Sequence, residues 1–251
     1  MRILITNDDG IDSPALSLLA KWATKHFTRD GVRPVITVAA PKVEQSGKSQ
    51  AIEIRRDVEV KRLDTSIPDV DATFYSIDST PADCVRFCAL TFPEKFDLVI
   101  SGINRGFNLG HDIAYSGTCG AIFEASRHML PALAVSSDPS TYLDVIPGLD
   151  EAFELLASNG LLDTPDFLYN INVPYPSKGV CFTHQGDVFY RDWYERIDGD
   201  LFRQYAVQVK PDSDDLSVDT CCVQHGYTSI TPLTAEKTDL AVYGQIKSKG
   251  L

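Results

Sequence analysis

Short apolar runs rich in β-branched residues alternate with longer amphipathic stretches through the first two thirds of this chain. Ile3-Leu4-Ile5 is too short for an amphipathic helix and reads as a buried strand. Ala15, Leu16, Leu18, Leu19, Ala20 and Trp22 then supply the apolar positions of a helix, preceded by a cap at Asp12 or Ser13 and by Pro14, which suits a first turn. The alternation continues. Strands are expected at 34–40, 74–77, 97–101, 131–137 and 167–173, and helices from Thr80 to about Ala89, from Ser116 to about Met129, and near 149–156. No repeat of 20 to 50 residues is present. Strand and helix in turn predict an α/β fold, a mostly parallel sheet with helices on both faces.

Two stretches depart from this pattern. Ile52, Ile54, Val58 and Val60 alternate as in a more exposed strand, with Arg55 and Arg56 outward. Beyond Pro174 aromatic residues concentrate: Phe189, Tyr190, Trp193, Tyr194, Phe202 and Tyr205 flank Asp198-Gly199-Asp200, which predicts two strands joined by a turn. The chain therefore divides into a core, 1–180, and a β-ribbon arm with a carboxyl-terminal segment, 181–251, that returns to the core. An isolated two-stranded ribbon is marginally stable, so these aromatics need a surface, either of their own domain or of another subunit. Asp212-Ser213-Asp214-Asp215 reads as a solvated acidic turn, 227–232 as a late strand, and the tail from Lys247 as mobile.

Composition narrows the function. With 251 residues, 43% hydrophobic and 23% charged, the chain suits one large soluble domain, or one with an appendage. A net charge of -12 opposes diffuse binding to nucleic-acid polymers or to anionic membranes. It leaves room for a small phosphorylated ligand held by a metal ion, backbone N–H groups or a helix N-terminus. The six cysteines have no Cys-x-x-Cys spacing and read as reduced structural thiols; Cys84 and Cys88 face the core from one helix, and Cys221-Cys222 would alternate across a strand. Neither a signal peptide nor a membrane span is expected, which makes the chain cytoplasmic.

Candidate chemistry gathers where strands end. The first strand stops at Asn7-Asp8-Asp9-Gly10, and in open α/β sheets ligands bind outside the carboxyl ends of the strands. Ser46 lies in the polar loop after the second strand and Asn104 in the glycine-rich loop after the strand at 97–101. Two carboxylates, a hydroxyl and an amide oxygen form a hard set suited to one Mg²⁺ or Mn²⁺, whereas Zn²⁺ would want His or Cys. At the next helix start, Ser116-Gly117-Thr118 either presents N–H and O–H donors to a phosphate or simply caps the helix.

These segments resemble the SurE survival-protein nucleotidases. The matching stretches are residues 3–11, Ala40-Pro41 with Glu44-Gln45-Ser46-Gly47, residues 80–85, Ser101-Gly102-Ile103-Asn104-Arg105-Gly106 with Asn108, Ser116-Gly117-Thr118 and residues 170–174. The resemblance implies a Rossmann-like core and a metal-dependent phosphomonoesterase acting on nucleoside 5′- and 3′-monophosphates, and sometimes on short polyphosphate. It implies metal ligation by Asp8, Asp9, Ser46 and Asn104, a catalytic part for Asp8 and Asp9, and phosphate contacts from Asn108, Ser116, Gly117 and Thr118. It also implies a homodimer or homotetramer built through the ribbon. Lys42 and Ser79 stand where the family usually has an acidic residue and a glycine.

Three other classes compete. A phospho-accepting signalling module needs an aspartate at the end of a later buried strand, where this chain has Ala40-Pro41 and Ser101-Gly102. A non-catalytic nucleotide-binding or assembly protein would have no need of the intact oxygen set. An NAD-dependent enzyme needs Gly-x-Gly-x-x-Gly after the first strand, which Asn7-Asp8-Asp9-Gly10 is not.

Overall fold

A computed structural model describes residues 1–210 and 213–249. Its main sheet is built from β1 (Arg2–Thr6), β2 (Val35–Pro41), β3 (Val60–Leu63), β4 (Ala72–Ile77), β5 (Leu98–Arg105), β6 (Ala132–Ser137), β7 (Leu168–Val173), β8 (Val180–Phe182) and β11 (Thr228–Pro232). They lie in the order β3-β4-β2-β1-β5-β6-β7-β11-β8. The pairs from β4 through β7 are all parallel, while β3 on β4 and β11 on β7 run antiparallel. With the short β3 set aside, the chain winds outward from β1 in both directions, so the order reverses between β1 and β5 and opens a crevice at their carboxyl ends.

Both faces of the sheet are buried, and the sequence divides them by alternation. Ile3 and Ile5 of β1, Val38 of β2 and Ile100 of β5 pack with Leu16, Leu19 and Trp22 of α1 (Pro14–Phe27) and Leu149 and Phe153 of α4 (Ile146–Ser158). Leu4, Ala39 and Val99, their neighbours in sequence, point the other way onto Cys84, Val85 and Cys88 of α2 (Pro81–Thr91) and Ala121 and Ile122 of α3 (Gly117–Arg127). A strand buried on both sides has no polar face, which is why these strands read as unbroken apolar runs. All six cysteines are free thiols.

Several sequence expectations are corrected. Residues 51–59 form no strand; Glu53 and Arg56 hold the segment instead, the Glu53 N–H donating to Asp83 at 2.6 Å and Arg56 pairing with Asp78 at 3.0 Å. Only Val60–Leu63 reaches the free edge of β4. Strand β5 continues through Asn104 and Arg105, with an irregular register between Ser101 and Asn104, so Asn104 stands at a strand end and not in a loop. Cys221 and Cys222 lie in α5 (Asp219–Gln224), buried by helical packing. Lys247 and Ser248 belong to α6 (Leu240–Ser248), and Gly250 and Leu251 lie outside the described residues. In the expected acidic turn, Asp214 meets His225 at 3.0 Å and Asp215 accepts from the Ser217 hydroxyl at 2.7 Å, while Asp212 lies outside the described residues.

The expected ribbon is present as β9 (Tyr190–Asp198) paired antiparallel with β10 (Leu201–Gln208). Phe189, Leu109 and Val223 bury its base, with Phe107 packed edge-on against Phe189 at 6.3 Å. The rest projects from the core: Leu201 is 63% and Phe202 49% exposed, and no residue of α6 is buried. Among the described residues no helix is long and apolar enough to cross a membrane.

Helix α3 approaches the loop after β2 so closely that Gly120 has no space for a side chain: a methyl group there would collide with the backbone of Ser49 and Gln50. Gly120→Ala is therefore expected to lower stability by about 1–3 kcal/mol through overpacking, read as a fall in the urea midpoint at constant slope.

Candidate functional site

The acidic turn sits at the crevice between β1 and β5. Asn7 shapes it, its amide nitrogen donating to Gly10 O at 3.0 Å and its amide oxygen accepting from the Gly10 N–H at 3.2 Å. Asp8 points inward and is 4% exposed. Its Oδ1 accepts the Thr118 hydroxyl at 2.8 Å, and its own carbonyl accepts the Gln45 N–H at 2.7 Å. Asp9 faces the other side, where Arg105 Nε donates to its Oδ1 at 3.1 Å and the Arg105 N–H to its Oδ2 at 3.3 Å. Arg105 also reaches Glu44 at 3.4 Å. Three strand ends and the start of α3 thus meet around two carboxylates.

Burial pushes the Asp8 carboxyl from its ordinary value of 3.8 up to about 6, against the Thr118 hydrogen bond and with the help of the neighbouring Asp9 charge. Asp8 is therefore held where its ionised form is costly, at a point where an incoming positive charge would be strongly favoured. Gly117 leaves room for it: a Cβ at that position would lie 3.0 Å from Asp8 Cβ and Oδ2.

The remaining sequence candidates fall into two groups. Ser46 lies in the same loop as Gln45, exposed, with its hydroxyl donated to Glu44 at 2.7 Å, so the structure brings its loop to Asp8 but not its oxygen into contact. Asn104 spends its amide nitrogen on Gly106 O at 2.8 Å, which leaves the amide oxygen as its available ligand atom. Ser116 caps α3 by accepting the Cys119 N–H at 3.0 Å, so plain capping describes its hydroxyl, while Thr118 turns to Asp8. Asn108 is drawn into a buried network, donating to Ser136 Oγ at 2.7 Å and accepting at its carbonyl from Asn170 and Asn172 at 2.8 and 3.0 Å.

Sequence reasoning missed four contributors. Arg105 and Glu44 stood in quoted motifs without a role, because nothing in their spacing shows that β5 and the loop after β2 face one another. Asn170 and Asn172 read as strand residues; their two-residue spacing, with polar amides inside an apolar run, was the available signal that they hold a loop.

As a cation site the donor set is hard and oxygen-only. Among the described residues no three His, Cys, Asp or Glu side chains cluster, so a soft or histidine-rich site is not on offer and neutral oxygens must complete any shell. In chemistry, Asp8, Asp9, Ser46 and the Asn104 amide oxygen fit Mg²⁺ or Mn²⁺.

A sequence model of the family described as Survival protein SurE matches residues 3–192. The chain belongs to the SurE family. A relative called 5′-nucleotidase SurE from Natranaerobius thermophilus is 34% identical over 261 residues, covering 99% of this chain and 98% of that protein. Another of the same name from Clostridium beijerinckii is 31% identical, with 98% of each chain covered. The crystal structure of a SurE protein from Aquifex aeolicus superposes with a TM-score of 0.79 at 27% identity over the whole of both chains. Membership thus extends over the ribbon and α6 as well as the sheet.

Because the Asp8 carboxyl is raised, its protonated form favours folding below pH 3.8, and that contribution is lost as the pH rises through about 6. At neutral pH the metal-free protein carries the cost. Asp8→Asn is accordingly expected to stabilise the chelator-treated protein at pH 7.5 by about 1–2 kcal/mol, seen as a higher Tm by calorimetry; a lower Tm would contradict the burial argument.

Proposed function

We propose that this SurE-family chain is a metal-dependent phosphomonoesterase that hydrolyses nucleoside 5′-monophosphates, with 3′-monophosphates and short polyphosphate as further substrates. The observation that carries the reading is the buried, charge-strained Asp8 set beside Asp9 at the sheet's crevice and faced by the N-terminus of α3. The names of the relatives, 5′-nucleotidase SurE, support the substrate class.

Bound by Asp8, Asp9, Ser46 and Asn104, Mg²⁺ or Mn²⁺ would offset the charge of the phosphate and acidify a water molecule. The protein's own groups do the rest. Gly117 and Thr118 open α3, and their N–H groups supply positive potential for phosphate oxygens. Arg105, paired with Asp9 and Glu44, is a half-exposed cation at the rim that can exchange a carboxylate for a phosphate oxygen. Thr118 fixes the rotamer of Asp8, leaving its second oxygen for a cation or a water proton. Asn108 and its amide network hold the loop after β5 in register with the crevice, with Asn108 itself a phosphate contact in this reading.

An intact oxygen set argues against a purely binding or assembly role, and the absence of an aspartate at the ends of β2 and β5 argues against a phospho-accepting module. The six free cysteines suit a reducing, cytoplasmic compartment. We also read residues 1–180 as the catalytic core and 181–251 as a ribbon arm with a carboxyl-terminal segment that returns to the core through β11, the ribbon's outward aromatics meeting a second copy of the chain to give a homodimer or homotetramer. A stacked pair on one face of the ribbon, Trp193 and Tyr205 at 5.7 Å, is the expected contact.

Phosphate release from AMP or GMP in saturating Mn²⁺ should fall at least about a hundredfold in Asp8→Asn and in Asp9→Asn, and should stop in EDTA. Turnover near the unaltered protein's in both variants would reject the site. Trp193→Asp is expected to shift the protein to a smaller species in light scattering; an unchanged mass would remove the ribbon from the interface.

A further inference from the structure

One cavity of about 600 Å³ lies between the core and the ribbon. On the core side its wall is Gly47, Asp112 and Tyr115. Gly47 follows Ser46 and Tyr115 precedes Ser116, so two of the three wall residues adjoin groups assigned to the metal or to the phosphate. The wall is braced: Ser49 donates its N–H to Tyr115 O at 2.9 Å and its hydroxyl to Ala114 O at 2.8 Å. A second cavity of about 600 Å³ lies at the ribbon base around Val188, Val209 and Cys221 and includes none of the candidate site residues.

The other wall is one face of the ribbon. Register pairs Tyr194 with Gln204 and Asp192 with Ala206, which puts Tyr190, Asp192 and Tyr194 on the same face as Gln204 and Ala206. All five line the cavity, whereas the Trp193 and Tyr205 pair occupies the opposite face. Alternation therefore separates two surfaces, one turned to the cavity and the core wall behind it and one turned outward. On the inward side Tyr115 and Tyr194 are left 66% and 67% exposed across a space of ligand size, within the roughly 300–1,000 Å³ usual for small-molecule sites. Asp112 lines the cavity, and its Oδ2 has no hydrogen-bond partner among the described residues, so the carboxylate is short of donors.

We propose that this cavity receives the base of a nucleoside 5′-monophosphate, stacked on the Tyr194 and Tyr115 rings, with a base N–H directed to Asp112. The inference rests on the phosphatase reading and extends it to the ligand's other end. A flat, uncharged ring with N–H donors suits tyrosine faces beside carboxylates, and Asp112 and Asp192 repel a second phosphate in the same space. Short polyphosphate thus gains nothing from this wall. The ribbon becomes the element that tells a nucleotide from a phosphorylated sugar.

The test compares kcat/KM for AMP and GMP with that for ribose 5-phosphate in Mn²⁺. The nucleotide preference should drop about tenfold in Tyr194→Ala and in Tyr115→Ala, chiefly through KM, because one stacked base is lost. Tyr194→Phe should restore it, and Arg203→Ala on the other face should leave it alone. An unchanged preference in both tyrosine-to-alanine proteins overturns the proposal. Saturation-transfer NMR with adenosine, which carries no phosphate, separates this failure from failure of the phosphatase reading: binding to the unaltered protein that is lost in Tyr194→Ala supports the cavity even without hydrolysis, and no binding overturns it.

Discussion

Two adjacent carboxylates at the end of the central strand, one of them almost fully withdrawn from water, are the constraint that organises this molecule. A buried carboxylate is tolerated only with donors or positive charge around it. Thr118 supplies a donor, Arg105 neutralises the partner Asp9, and Gly117 withholds the atoms that would crowd Asp8 out. These groups come from elements far apart in sequence, so satisfying Asp8 is also what draws the start of α3, the end of β5 and the loop after β2 to one point. The cost to stability and the proposed hold on a cation have one origin.

Sheet topology explains why that point is a site. The chain winds to either side of β1, so the helices that follow β1 and β5 leave on opposite faces and the carboxyl ends of the two strands are left uncovered. A buried amide network, Asn108 with Asn170, Asn172 and Ser136, then fixes the loop after β5 to strands β6 and β7. Fully satisfied polar networks of this kind specify one arrangement where apolar packing would allow several. The loop in turn carries Phe107 and Leu109, on which the ribbon base rests. The crevice and the arm are linked through a single short segment.

The alternation of apolar runs and amphipathic stretches was enough to read the doubly covered sheet, the order of its strands along the chain and the ribbon with its turn, because those features follow from local period and from turn chemistry. The acidic turn was legible for the same reason: two aspartates directly after a buried strand lie at its carboxyl end in any parallel sheet. The segment at 52–58 failed, since alternation marks a strand only where a sheet edge is free to pair with it, and Glu53 and Arg56 find side-chain partners instead. The tail failed too, because its Lys and Ser content hid the helix Leu240–Ser248, capped by Asp239.

Sequence by itself determined which oxygen-bearing residues stand at the strand ends and at the next helix start: Asp8, Asp9, Ser46, Asn104 and Ser116-Gly117-Thr118 were all in view as candidates before any geometry. Tertiary structure decided how they are used. It alone set Thr118 against Asp8 and Arg105 against Asp9, gave the Ser116 hydroxyl to a helix cap, and placed one face of the ribbon across a cavity from Gly47, Asp112 and Tyr115. The physical reason is that chemical identity and local period are properties of short stretches, whereas desolvation, ion pairing and the facing of two loops depend on contacts between residues up to 110 positions apart.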